Sequence, residues 1–412
     1  MLKYWVWMTQ RKGLGAVKIG ALLRHFGTAE AVYLADRADY ARVEGIDRNS
    51  IASLMEKDLS AAERTLDDCY RQRVNLLTCQ DAGYPNRLKN ISDPPVLLYY
   101  RGQVPAVDEE PIIAMVGSRR CTPYGLLCAK RFGFHVASCG CVVASGGARG
   151  IDTMALRGAV SAGKPVICVL GCGVDVVYPK ENEALFRDVE SNGWLLSEYP
   201  PGTPPEGRHF PVRNRIISGL SVGVLVVEAA EKSGALITAN LALEQGRDVF
   251  AIPGNIGVPS CKGSNKLLKE GAIVAEYGWD VAGEYADRFP DKIHNYTHSR
   301  LLSLSEKEAV SAQQILVSNQ SEITPMCEAK LAEKKSEPIQ QPEYIDPEEI
   351  LPSLTETEQK IIQMLKNGRL HVDTIIAQSG LGTSTVLAAL TMLEVKHFIQ
   401  RYPGKYFSLA EK

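Results

Sequence analysis

The sequence lacks the cysteine and histidine patterns that build most metal sites and disulfide scaffolds. Its ten cysteines include no CxxC pair, and its seven histidines include no HExxH spacing. Cysteines scattered through apolar segments are typical of buried free thiols in a reducing compartment. We therefore expect no metal and no other cofactor.

Long apolar runs and an excess of either charge are also missing. No stretch of 18 apolar residues occurs, and the apolar segment at the N-terminus is too short for a signal peptide. The formal net charge of the 412 residues is −2. These features predict a soluble, cytoplasmic protein without a membrane partner, in which any site for a polyanion is a local basic patch.

Two nucleotide-binding motifs are absent as well. The GxxxxGK[ST] phosphate loop does not occur, and the first strand-to-helix turn reads Gly117-Ser118-Arg119 where a dinucleotide site needs GxGxxG. These absences argue against a nucleoside triphosphatase and against a NAD-dependent oxidoreductase.

Apolar strands and helices alternate from residue 111 to about residue 285. The strands are continuous apolar runs, as a sheet covered by helices on both faces requires. The pattern predicts an α/β fold with a doubly wound, Rossmann-like parallel sheet. The predicted strands are 112–116, 141–144, 166–170, 194–197, 222–227, 248–252 and 273–275, and the predicted helices are 126–139, 153–162, 181–189, 214–219 and 236–245.

The N-terminal flank differs from this core. Residues 12–45 predict short, glycine-broken helices that resemble helix-hairpin-helix or SAM-like modules. Val17, Leu22, Leu23 and Phe26 are predicted to share one apolar face. Residues 51–73 predict one amphipathic helix, and an edge strand is expected to end at Gly102. A module of this kind either contacts the DNA backbone through its turn amides or simply docks on the core.

The C-terminal part predicts a tether and a winged helix. Residues 318–352 hold few large apolar residues, so we expect a flexible tether. A Thr355…Glu358 capping box, three helices and a terminal hairpin then predict a winged helix-turn-helix. Its third helix, 383–394, carries no Arg or Lys, so DNA binding and a protein-interaction or dimerising role both stay open. The predicted domains are a helical module (1–75), the core (76–290), the linker (291–352) and the winged helix (353–412).

Two glycine-rich turns follow successive strands of the core, one beginning at Gly117 and the other at Gly146. Glycines at a strand-to-helix turn let backbone N–H groups approach an anion, and the helix N-terminus adds partial positive charge. Because ligand loops lie beyond the carboxyl ends of parallel strands, the two turns define one crevice.

Basic side chains from further strand-end segments converge on this crevice and make it a local basic patch. Guanidinium groups bind phosphate in a bidentate way, and Tyr178 and Phe210 can stack on bases. Arg213 and Arg215 have an alternative role, as internal partners of Glu198 or Glu228. The residues predicted to bind DNA are Gly117, Ser118, Arg119, Gly146, Gly147, Arg149, Gly150, Lys180, Phe210, Arg213, Asn214, Arg215, Lys262 and Asn265.

Segments across 111–279 together carry a family resemblance. They are 117–119, 145–152, 170–179, 197–205, 209–217, 228–239, 243–247 and 252–254. In these segments the chain resembles the DprA/Smf family of DNA-processing proteins, and the flanking modules agree with that family. The resemblance implies a protein that is not an enzyme, binds single-stranded DNA as a homodimer and loads a RecA-type recombinase during natural transformation.

Two positions depart from the family's pattern. The family commonly has an Ala-His pair after Asp152, whereas here Ala155 is followed by Leu156, which excludes a catalytic histidine there. Lys180 stands where some relatives carry Pro, which makes the case for its DNA role weaker than that for Arg119.

A nucleotide-processing enzyme is the alternative function. Residues 233–238 together with Glu244 are reminiscent of the glycine-rich turn in phosphoribohydrolases of the related LOG class. Such an enzyme needs carboxylates for acid–base work, and Asp152, Asp175 and Glu228 are the only candidates. We expect Asp152 instead to cap or order its own turn.

Limited proteolysis tests the predicted tether. Because residues 318–352 lack the apolar side chains of a core, we expect a protease of broad specificity to cut there first. Mass spectrometry of the earliest fragments would locate the cut. Cleavage elsewhere, with this segment left intact, would contradict the tether.

Overall fold

A computed structural model describes residues 1–296, 354–366, 368–396, 398–402 and 406–409. They fall into two units, one within residues 1–324 and the other within residues 325–412. The predicted tether at 318–352 lies outside the described residues, and the domain boundaries at 75, 290 and 352 stay predictions. None of the helices in the described ranges is both long and apolar enough to cross a bilayer.

Six helices form the N-terminal module. They enclose a core of their own, in which Trp7, Leu22 and Tyr40 are fully buried. Leu97 and Tyr99 from the following strand belong to the same core, so the module docks on the sheet. The helices are α1 (Leu2–Thr9), α2 (Ala16–Phe26), α3 (Ala29–Leu34), α4 (Arg37–Tyr40), α5 (Arg48–Leu54) and α6 (Ser60–Arg71).

The single helix predicted over 51–73 is wrong, because the chain leaves helical geometry between α5 and α6. Lys57 lies in this break, and its ammonium is 4.9 Å from the centroid of the Tyr40 ring and 5.3 Å from that of Trp7. The ammonium donates to the Ala35 carbonyl oxygen at 3.1 Å, and burial lowers its pKa to about 8. The apolar face predicted for α2 is confirmed at Leu22 and Leu23, which are buried, but is wrong at Val17, whose side chain is 61% exposed.

Nine strands form the sheet of the first unit. They are β1 (Asn75–Thr78), β2 (Leu97–Gly102), β3 (Ile112–Val116), β4 (Val142–Ser145), β5 (Val166–Leu170), β6 (Trp194–Ser197), β7 (Gly223–Val226), β8 (Asp248–Ala251) and β9 (Ile273–Val274). Their order is β1-β2-β6-β5-β4-β3-β7-β8-β9, with β3 to β9 parallel. The direction of winding reverses between β3 and β7, which confirms the doubly wound sheet and creates a topological switch point there.

The strand that ends at Gly102 is not an edge strand, contrary to prediction. β2 pairs in the antiparallel sense with β1 on one side and β6 on the other, so β1 lies at the edge. Pro94 and Pro95 precede the strand and therefore do not interrupt either ladder of hydrogen bonds.

Helices cover both faces of the sheet, and alternate strand residues pack into different layers. In β3, Ile113 and Met115 join the core on one face, whereas Ile112, Ala114 and Val116 join the core on the other. This explains the continuous apolar runs in the sequence. The helices are α7 (Asn86–Lys89), α8 (Pro123–Ser138), α9 (Ile151–Ser161), α10 (Glu183–Asn192), α11 (His209–Leu220), α12 (Gly234–Glu244), α13 (Lys262–Lys269) and α14 (Gly278–Ala282).

Helices α8 and α9 approach each other at two glycines. A Cβ on Gly133 would overlap the carbonyl oxygen of Ala155, and a Cβ on Gly158 would overlap that of Lys130. The backbones of the two helices are therefore in direct contact.

The second unit is a winged helix, as predicted. Thr355 and Glu358 form the expected capping box, in which the Thr355 N–H donates to the Glu358 carboxylate at 2.9 Å. Ile361, Ile375 and Leu393 lie in its core. Its elements are α15 (Glu356–Leu365), β10 (Leu370–His371), α16 (Val372–Ser379), α17 (Thr383–Val395), β11 (Ile399–Tyr402) and β12 (Tyr406–Leu409), with strand order β10-β12-β11.

The contact between α8 and α9 can be tested by exchanging glycine for alanine. Gly158→Ala should lower the free energy of unfolding by about 1–3 kcal/mol, because the new methyl group overlaps a backbone oxygen. Gly20→Ala is the matched control, since a Cβ on this α2 residue meets only the tip of the Arg24 side chain at 3.4 Å. It should raise stability by about 0.4–1 kcal/mol. Urea unfolding curves that moved in the same direction for both variants would contradict the tight contact.

Candidate nucleic-acid interface

The crevice at the carboxyl edge of the sheet holds two neighbouring clefts, and Arg119 and Phe210 line both. The basic cleft has a volume of about 220 Å³ and is also lined by Arg120, Arg149 and Tyr178. The switch-point cleft has a volume of about 380 Å³ and lies where β3 and β7 diverge. Its further lining residues include Gly117, Asp152, Arg213, Asn214, Gly234 and Thr238.

The turn between β4 and α9 binds a carboxylate of the protein itself. Asp152, in the first turn of α9, is 7% exposed and accepts the Ala148 N–H at 3.3 Å. Burial raises the pKa of Asp152 to about 6, and the charge of Arg213 opposes this shift, as do N–H groups of Ala148 and Gly146. The prediction that Asp152 orders its own turn is confirmed.

The glycines of both turns are required by packing within the protein. Gly150 has a φ of +77°, and a Cβ on it would lie 2.5 Å from the Ser118 carbonyl oxygen. A Cβ on Gly146 would lie 2.6 Å from the Arg213 guanidinium. The same crowding is found at the other two glycines of these turns, Gly117 and Gly147. Their expected role as DNA contacts stays a prediction.

The N-terminus of α8 also holds a protein carboxylate. Glu228 follows β7, is 1% exposed, and accepts the Thr122 N–H at 2.9 Å and the Thr122 hydroxyl. Thr122 is the N-cap of α8. Asp175 accepts the Gly202 N–H at 2.9 Å. All three candidate catalytic carboxylates are therefore hydrogen-bonded to the protein's own backbone.

The exposed basic side chains that have no carboxylate within 4.0 Å among the described residues include Arg119, Arg120, Lys180 and Lys262. Arg119 and Arg120 follow β3 directly, and the Arg119 guanidinium carbon lies 4.7 Å from the centroid of the Phe210 ring. The other two are Lys180, next to the lining residue Pro179, and Lys262, which begins α13 and lines neither cleft.

Arg149 is exposed but pairs with Glu181. Its hydrogen bond to Glu181 raises the pKa of Arg149 and lowers that of the carboxylate. Exposed ion pairs contribute little to stability, so a phosphate can replace this carboxylate.

Arg213 and Arg215 are buried in the protein. Arg213 is 3% exposed and donates to the Gly146 carbonyl oxygen at 2.8 Å. Arg215 is 4% exposed and donates to both carboxylate oxygens of Glu198, at 2.8 and 2.9 Å, and to the Asp93 carbonyl oxygen at 3.0 Å. The alternative of an internal pairing with Glu198 is thus confirmed for Arg215.

The remaining polar residues differ in how much hydrogen-bonding capacity they have left. The Asn214 amide oxygen accepts the Arg213 Nε–H at 3.2 Å, and its NH2 group reaches the Gly234 carbonyl oxygen only at 3.5 Å. Asn265 both donates to and accepts from the Gly254 backbone at 3.0 Å, and the N–H of the buried Ser118 is bonded inside the protein.

The structure therefore brings Arg119, Phe210 and Asn214 to the cleft surfaces and engages Arg215 and Asn265 in internal contacts. This arrangement does not test whether any of the predicted residues contacts DNA. Their DNA-binding roles therefore stay predictions. Sequence reasoning missed Arg120 and Thr238 as lining residues. Arg120 could have been found as the direct neighbour of Arg119. Thr238 falls only in the segment that is reminiscent of phosphoribohydrolases, and not among the predicted DNA-binding residues.

The buried carboxyl of Asp152 predicts a pH dependence of stability. Its pKa in the folded protein, about 6, exceeds its ordinary value of 3.8, so the folded state binds more protons between these values. The contribution of Asp152 to the free energy of unfolding should therefore fall as the pH rises from about 4 to about 6. Urea unfolding across this range should give a flatter pH profile for Asp152→Asn than for the wild type. The exposed Asp188→Asn is the control, and equal profiles for all three proteins would contradict the raised pKa.

Sequence models of one protein family match both the part of the chain that forms the sheet and the winged helix. A sequence model of the family described as DNA recombination-mediator protein A matches residues 75–286, and one of the DprA winged helix domain matches residues 346–405. Protein Smf from Synechocystis is 31% identical over 406 residues, which cover 97% of each chain. DNA processing protein DprA from Bacillus subtilis is 40% identical over 225 residues, 55% of this chain and 76% of that protein.

A solved structure agrees with these matches. The X-ray structure of DprA from Streptococcus pneumoniae has a TM-score of 0.62 and 35% identity, and covers 69% of this chain and 98% of that one. The chain belongs to the DprA/Smf family of DNA-processing proteins.

Proposed function

We propose that this protein binds single-stranded DNA along the carboxyl edge of its large sheet and, as a homodimer, loads a RecA-type recombinase onto the strand. The observation that carries the DNA-binding part is a row of uncompensated cations, Arg119, Arg120 and Lys180, beside the rings of Phe210 and Tyr178. The dimeric and recombinase-loading parts rest on family membership, because the matching family is described as a recombination mediator.

The arrangement suits a single strand. Guanidinium and ammonium groups attract phosphates, while aromatic rings offer stacking surfaces that a strand without a partner can use. The centroids of the Phe210 and Tyr178 rings are 5.7 Å apart, and the Arg119 guanidinium lies over the face of the Phe210 ring. Stacking surface and phosphate-binding charge are therefore adjacent, as in a strand that presents bases on one side and phosphates on the other.

The occupied turns argue against the nucleotide-processing alternative. An enzyme of that class needs a helix N-terminus open to a phosphate and a carboxylate free for proton transfer. Here Asp152 fills the turn before α9, and Glu228 fills the N-terminus of α8. Asp175 holds the Gly202 backbone. The geometry therefore favours a binding protein over an enzyme.

Substitution of the uncompensated cations tests the DNA site. Arg119→Ala should weaken binding to single-stranded DNA and reduce the steepness of the log–log salt dependence by about 0.7, the value for one lost phosphate contact. Adding Lys180→Ala should reduce it by a similar amount again. Fluorescence anisotropy at several salt concentrations would measure both effects. Melting temperatures should change little, because exposed substitutions typically alter stability by no more than about 0.5 kcal/mol.

Arg157→Ala is the matched control, since Arg157 is an exposed arginine of α9 that lines neither cleft. It should leave the salt slope unchanged. A double variant that kept its melting temperature, full affinity and the wild-type slope would exclude this crevice as the DNA site and return the nucleotide-processing function to first place.

A further inference from the structure

The two clefts of the crevice differ in chemistry. The basic cleft presents Arg119, Arg120 and Arg149, whereas the switch-point cleft is lined largely by neutral groups of α11 and α12. Its volume of about 380 Å³ lies in the range of about 300–1,000 Å³ that small-molecule sites occupy. One cleft is therefore suited to phosphates and the other to a compact, uncharged group.

The anion positions around the switch-point cleft are already filled. The Asp152 carboxylate lines the cleft and is bound by the turn before α9. The start of α12 is capped by Ser233, whose side chain accepts the Ala235 N–H at 3.3 Å. A phosphate placed here would meet the Asp152 carboxylate, so the cleft is a poor phosphate site although Arg119 and Arg213 also line it.

Neutral hydrogen-bonding groups remain available in the cleft. Thr238 is 1% exposed and lines it, and its hydroxyl makes no hydrogen bond with the described residues. Asn214 also lines the cleft. Its amide oxygen accepts the Arg213 Nε–H at 3.2 Å, whereas its NH2 group has only a 3.5 Å contact with the Gly234 carbonyl oxygen. A buried hydroxyl without a protein partner and an amide NH2 group with one weak contact match the edge of a nucleobase, which carries both donors and acceptors.

We infer that the switch-point cleft receives one unstacked nucleobase of the bound strand, with the Phe210 ring as a wall and Asn214 and Thr238 facing the edge of the base. This inference rests on the proposed DNA-binding function and assigns its base-recognition site. In this arrangement the phosphates of the strand lie along the basic cleft, and one base enters the switch-point cleft beside α12. Because a paired base is held in the duplex stack, the cleft also selects single strands over duplexes.

The chain offers a variant that blocks this cleft without crowding the protein. A Cβ on Gly234, at the start of α12, meets nothing within 4 Å, and Gly234 lacks the left-handed backbone that would require glycine. Gly234→Leu should therefore fold and place its side chain at the cleft. Gly83→Leu is the matched control, since Gly83 is exposed, equally uncrowded and absent from the lining of the cleft.

The experiment compares two probes of equal length, oligothymidine and an abasic deoxyribose-phosphate oligomer, by fluorescence anisotropy. The wild type and Gly83→Leu should bind oligothymidine about tenfold or more tightly than the abasic oligomer, owing to base stacking. Gly234→Leu should lose most of this preference while keeping the abasic affinity and its salt slope. Thr238→Val, which removes the hydroxyl at nearly constant volume, should reduce oligothymidine affinity about threefold to tenfold.

Two outcomes would overturn the inference and leave the DNA-binding function intact. One is equal affinity of the wild type for both probes. The other is an equal loss for both probes in Gly234→Leu, which would put the cleft on the phosphate path. Failure of the wild type to bind either probe would overturn the proposed function itself, and the base site with it.

Discussion

The carboxyl edge of the sheet depends on two buried carboxylates that hold helix N-termini. Asp152 binds the glycine-rich turn before α9, and Glu228 binds Thr122, the N-cap of α8, across 106 residues of chain. Each supplies the negative charge that a helix N-terminus favours. In many doubly wound proteins that charge comes from a ligand, whereas here it belongs to the fold.

In this fold, internal carboxylates take the place that a phosphate ligand occupies in many doubly wound proteins. The turns are satisfied without a guest, so the groups left for a guest are side chains at the cleft surfaces. Arg119 stands at the centre, over the Phe210 ring and between the basic and the switch-point cleft. The proposed function fits these clefts, because the groups available to a ligand are side chains rather than the backbone N–H groups of a phosphate-binding turn.

Sequence reasoning predicted the fold well because the core obeys local rules. Strands β3, β5 and β6 have the predicted bounds, because apolar runs and glycine turns mark them directly. The single helix over 51–73 failed because the break depends on Lys57, whose partners come from α1, α4 and the end of α3. No local pattern encodes such contacts.

The location of the site could be predicted from the sequence, but the exposure and the partners of its individual side chains could not. Parallel strands deliver their loops to one edge, so the crevice follows from the strand order alone. Whether an arginine there faces solvent depends on partners distant in sequence. Arg119 and Arg215 look alike in the sequence, yet Arg215 lies among Glu198 and Asp93 and is 4% exposed.

The backbone contact between α8 and α9 has a consequence for molecular recognition. These helices begin at the two turns that flank the crevice, and Gly133 and Gly158 hold their axes together without intervening side chains. The close contact between the two helices thereby restrains the positions of the turns at which they begin. Under the proposed function, a flexible strand would meet turns that the fold already holds in place, so most of the conformational entropy lost on association would come from the DNA.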